Sequence, residues 1–156
     1  MTTTNHIRED KIENLNELIA VTRDSAEFYG HAAEKASNPE LRELFQQMAA
    51  SKNGLIGDMS REVKVEGAKP EQDGTFRGTM NRMYGDIRAK LGNEDYGYVA
   101  QLEASEDRML HAFNDVLEDK DTPAPVRAVV SKHLPLVKQQ HDLMRDRKRA
   151  MEATKH

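Results

Sequence analysis

The sequence predicts an all-α bundle of four long helices, with one long crossover that carries a fifth, shorter helix. Three observations lead there. Apolar residues recur at helical spacing along most of the chain, with no alternating strand pattern to compete. Two cap-and-proline restarts, Asn38-Pro39 and Thr122-Pro123, cut long helical stretches with very short breaks, which forces antiparallel hairpins. Between the second and third long helices the chain runs on for almost 30 residues, enough to return to the opposite end of a bundle.

The first helix spans about Ile7 to Ala36, with Ile12, Leu15, Leu18, Ile19, Ala26, Tyr29, Ala33 and Ala36 on one face. Asn38 is a good N-cap, Pro39 suits the first helical position, and Glu40 and Glu43 favour the positive end of the helix dipole. This second helix runs to about Val65 and turns Leu41, Leu44, Phe45, Met48, Leu55, Ile56, Met59 and Val63 inward. Glu66 to Gly74 is a loop by composition. Thr75 to Leu91 then forms the crossover helix, whose Met80, Met83 and Tyr84 can lie on the bundle or face a second copy, leaving a homodimer open. Asn93 caps the third long helix. There Val99, Leu102, Met109, Leu110, Phe113, Val116 and Leu117 share a stripe, and the helix ends near Asp119. The last runs from the Thr122 cap to about Met151 on Val126, Val129, Val130, Leu134, Val137, Met144 and Met151, with Pro135 inside it. Residues 1–6 and 152–156 read as tails around a single domain, 7–151.

Composition narrows the function classes. With 156 residues, 32% of them charged and a net charge of −4, the chain reads as a globular protein without the concentrated basic surface that nucleic-acid binding needs. The basic run Arg145, Arg147, Lys148, Arg149 sits where a helix C-terminus favours cations. There is no cysteine, so disulfides, thiolate metal sites and cysteine nucleophiles are excluded. No stretch approaches the ~18 apolar residues of a membrane span, and the opening residues lack an apolar signal core; the expected location is the cytoplasm, away from membranes. No phosphate loop or nucleophile elbow is present.

Each long helix interrupts its apolar face with a polar group about midway. The first offers Thr22, the second Lys52 and the third Glu106, while the fourth offers His133 near the middle of its stripe, with Gln140 and His141 towards the two edges. A carboxylate in an apolar stripe needs a partner, because burying an unpaired charge is costly. Lys52 is the one cation at the centre of a facing stripe. The first expectation is therefore a buried Lys52–Glu106 ion pair, with a histidine and Thr22 satisfying the remaining hydrogen-bonding capacity. The alternative is a metal site for iron or manganese built from Glu103, Glu106 and His141. No Glu-x-x-His pair, as di-iron bundles carry, occurs in the sequence. His31 and His111 lie off the apolar faces and read as surface residues.

The segments LNELIAVTRDSAEFYGHAAE, NPELRELFQQMA, the Glu106-Asp107 pair, VRAVVSKHL and QQHDLMRD resemble a bacterial family of ferritin-like four-helix-bundle proteins of unknown function, over roughly residues 12–149. The resemblance implies kinship with ferritins and rubrerythrins. It places Glu106 and His141 at positions where metal-binding relatives keep ligands, and Thr22, Lys52 and Lys138 where those ligands have been replaced. It implies a degenerate metal site and no substrate. The expected function is a non-catalytic structural or interaction protein, stress-related by kinship and without cofactor, against the alternative of a metal-binding or oxidase-like protein.

Overall fold

The computed structural model describes the backbone of residues 2–65 and 94–154, with side chains within 15–62 and 95–154. These residues form four helices and no strand: α1 (Thr2–Lys35), α2 (Pro39–Val65), α3 (Glu94–Glu118) and α4 (Ala124–Thr154). The loop at 66–74, the crossover helix at 75–91 with Tyr84, and the Asn93 cap lie outside the described residues.

Two helices are longer than the apolar stripes predict. α1 begins at Thr2 rather than Ile7, and α4 runs to Thr154. The first of these follows from composition, since Thr2 to Lys35 holds no proline and one glycine. α4 continues through Pro135. Ser131, four residues earlier, is exposed like the proline, so the backbone bond that Pro135 cannot make falls on the outer side of the helix.

The turns are built as hairpin corners. Asn38 Oδ1 accepts from the backbone N–H of Glu40 at 2.8 Å and of Leu41 at 3.4 Å, an N-cap for α2. Thr122 does not cap α4 as its sequence position suggests. Its hydroxyl donates instead to the Val116 carbonyl at 2.7 Å, and Arg127 donates to the carbonyls of Leu117 and Asp119. The last carbonyls of α3 have no partner within their own helix, so they compete successfully for these donors.

α1 packs chiefly on α2 and α3 on α4; the two hairpins then meet through α1 against α3 and α2 against α4. Around the bundle the order is α1, α2, α4, α3, with α2 and α3 diagonal. Ser37 and Asn38, just after α1, donate to Asp95 at the start of α3, whereas Glu17 and Leu18 share a groove with Asp115 and Asp119 near its end. α1 is therefore antiparallel to both α2 and α3, and α2 runs parallel to α3. Val65 and Glu94 consequently lie at opposite ends, separated by on the order of 40 Å of bundle length at 1.5 Å per residue.

The core has two apolar clusters. One holds Leu15, Leu18, Ile19, Leu55, Ile56, Met59, Met109, Phe113, Val126 and Val130, among others. The other, toward the 36–38 turn, holds Phe28, Tyr29, Leu41, Phe45, Met48, Tyr98, Val99, Leu102 and Met144. Ala32 and Ala33 keep α1 thin there, with Ala36 buried just past its end, and the rings pair as Tyr29–Phe45 (6.1 Å) and Phe28–Tyr98 (6.5 Å). Polar groups lie at the level where the clusters meet.

Candidate functional site: a buried polar layer

Helical spacing brings Lys52 onto the face of α2 that carries Met48, Leu55, Ile56 and Met59, and Glu106 onto the face of α3 that carries Leu102 and Met109. Neither has any exposed surface. The Lys52 ammonium lies 2.8 Å from Glu106 Oε1 and 2.9 Å from Oε2, and donates also to Gln140 Oε1 at 2.7 Å. Tyr29 OH donates to Glu106 Oε1 at 2.7 Å. Gln140 Nε2 passes the chain on to Ser51 Oγ at 2.8 Å, at the edge of solvent. The ammonium thus donates two hydrogen bonds, to Glu106 Oε2 and Gln140 Oε1, and both carboxylate oxygens have donors, Tyr29 for Oε1 and Lys52 for Oε2.

Electrostatics follow from burial. Desolvation lowers the Lys52 pKa, with the attraction of Glu106 working against that fall. Desolvation first, and the neighbouring Glu106 charge second, push Tyr29 well above the usual phenol value, so its hydroxyl stays a donor. Such a layer is held by charge-assisted hydrogen bonds in a medium where water cannot substitute for a lost partner.

Of the residues singled out in the sequence, the structure brings together Lys52, Glu106 and Gln140. Thr22 is fully buried but donates to the Leu18 carbonyl of its own helix at 2.6 Å. His133 sits 3.2 Å from Asp58, and burial lowers its pKa. His141 lies 3.3 Å from Asp107 and 3.1 Å from Asp142, whose pKa its hydrogen bond lowers. Glu103 reaches Lys148 at 3.9 Å, and Lys138 is exposed. Glu103, Glu106 and His141 therefore each face a different neighbour. His111 is exposed beside Asp107, while His31 is half-buried with its ring 6.5 Å from that of Tyr98.

Helical spacing puts Tyr29 on the inner face of α1 without marking it as part of a polar centre, and nothing in the sequence marks Ser51. Tyr29 had a signal: a buried tyrosine needs a partner for its hydroxyl, and Glu106 was seeking a donor. Ser51 carried no such signal.

Iron and manganese sites in helical bundles use several carboxylates and imidazoles. This layer supplies one carboxylate, already bonded to an ammonium and a phenol, next to an amide and one hydroxyl. That donor set does not fit a dinuclear metal. Among the described residues no group of three or more His, Cys, Asp or Glu is placed to hold one, and no helix among them is long and apolar enough to cross a membrane.

Compared with known families, residues 10–119 match the model of a Domain of unknown function (DUF2383). The match takes in Tyr29, Ser51, Lys52 and Glu106 and stops before α4, which carries Gln140. No curated protein and no solved structure matches the chain.

Proposed function

This chain belongs to the DUF2383 family, and we propose that it is a non-catalytic, ferritin-like bundle protein with a structural or interaction role. In this reading Lys52 stands where metal-binding bundles carry a metal, and its ammonium neutralises Glu106 in the metal's stead. The single observation that carries it is the Lys52 ammonium, 2.8 Å from Glu106 and fully buried. The crossing of two hairpins linked between opposite ends supports the ferritin-like label. A cation fixed against the one central carboxylate would repel a second cation there. Stress association and a cytoplasmic location belong to the same reading through the kinship that the sequence motifs suggest.

The test is metal analysis of protein purified without chelator, together with a ferrous-oxidation assay. Metal well below one equivalent and no oxidation are expected. Stoichiometric iron or manganese with ferrous oxidation would overturn the proposal in favour of the metal-binding reading on Glu103, Glu106 and His141.

A further inference from the structure

Every helix-to-helix bond in the buried layer crosses from one hairpin to the other. Tyr29 of α1 reaches Glu106 of α3, Lys52 of α2 reaches Glu106 and also Gln140 of α4, and Gln140 reaches Ser51 of α2. None of them joins α1 to α2 or α3 to α4. Within each hairpin a short turn fixes how the two helices align, since residues 36–38 and 119–123 leave no slack. Among the described residues no short turn does this between the hairpins, whose ends at Val65 and Glu94 are far apart in sequence and in space. The Phe28–Tyr98 ring pair, the bonds from Ser37 and Asn38 to Asp95 at one end and the His133–Asp58 contact also cross between the hairpins, but none of them is a buried charge. The rest of that interface is apolar, and apolar packing tolerates rearrangement better than a buried ion does, so a shift of one helical turn, about 5.4 Å, is the competing arrangement. A shift of that size would leave Glu106 and Lys52 buried without partners, which apolar packing cannot offset.

We propose that the Tyr29–Glu106–Lys52–Gln140 layer is a docking key, which fixes the axial register of the α1/α2 hairpin on the α3/α4 hairpin. Its role is selection of one arrangement among near-equivalent ones rather than net stabilisation. These bonds exist whether or not the bundle is related to metal-binding proteins, so metal content and register are separate readouts.

The chain contains no cysteine, so spin labels go only where they are put. Glu17→Cys on α1 and Asp115→Cys on α3 line one groove and report the offset between hairpins. Glu34→Cys with Gln46→Cys reports within the first hairpin. Electron–electron distance measurement on the parent should give one narrow distribution for each pair. In the background Tyr29→Phe, Lys52→Met, Glu106→Leu, Gln140→Leu, the between-hairpin distribution should split or broaden by about one helical turn. The within-hairpin distribution should hold, and the melting temperature should fall less than in Lys52→Met or Glu106→Leu alone. An unchanged single between-hairpin distance would overturn the proposal, and so would equal broadening of both pairs. Should that background lose its helical circular dichroism, the Lys52→Met, Glu106→Leu pair is read by the same rule.

Discussion

Glu106 takes donors from two helices at a depth that water does not reach, so its neighbours are coupled through it. Lys52→Met alone leaves a buried carboxylate with only a phenol, and Glu106→Leu alone leaves a buried ammonium. Each should cost about 3–5 kcal/mol. The double variant should regain part of that, because both desolvation penalties disappear together. Urea unfolding of all four proteins measures the coupling, and strictly additive losses would rule the pair out as an energetic unit. Tyr29→Phe keeps the shape and removes one bond to a charged group, at a cost of about 1.5–3 kcal/mol. It also has a pH signature. Tyr29 has a raised pKa in the folded state, so above pH ~10 the unfolded chain releases a proton that the native one keeps. Its stabilising contribution is present below that value and falls as pH rises further. Lys52 has the opposite sense, since its lowered pKa means that stability rises with pH through the window ending at its ordinary value near 10.5. Melting temperatures from pH 8 to 11 should therefore show a shallower decline above pH 10 for Tyr29→Phe than for the parent. Parallel curves would mean that the phenol ionises freely.

At the scale of elements, the ends of the helices carry the testable claims. The first turn of α2 is held from two sides, by Asn38 on Glu40 and Leu41 and by Asp95 on Ser37 and Asn38. Asn38→Ala should cost about 1 kcal/mol, the usual effect of deleting a cap. The measurement is chemical unfolding, and a loss near zero would mean that Asp95 alone secures the turn. The Asn38-Pro39 restart was plain in the sequence because both residues act on their own backbone. Thr122-Pro123 has the same signature, yet Thr122 serves the end of α3. A side chain between two helices can bond to either, and which one it meets depends on the path of the whole turn.

For the molecule as a whole, the polar layer lies between two apolar clusters, each drawing on both hairpins. Amides around Lys52 and Glu106 should exchange with solvent only through global unfolding, whereas those of the 119–123 turn should exchange by local opening. Hydrogen exchange followed by mass spectrometry under native conditions distinguishes the two classes. Rapid exchange around Lys52 would show that the hairpins part without unfolding.

The sequence by itself determined the four long helices, their two short corners and the polar residue on each of the first three stripes. These depend on periodicity, caps and prolines, which act within one segment. It also left Lys52 as the central cation opposite Glu106. Only the tertiary structure decided that Gln140, rather than His133 or His141, completes the layer, that Tyr29 donates to Glu106, and that Thr22 turns back on its own helix. Periodicity gives a residue's angle around its own axis to within a few tens of degrees, and on α4 His133 lies near the middle of one stripe with Gln140 and His141 towards its two edges. Which of them reaches a partner is set by the rotation and axial offset of one helix against another, and those are fixed by packing across all four helices together.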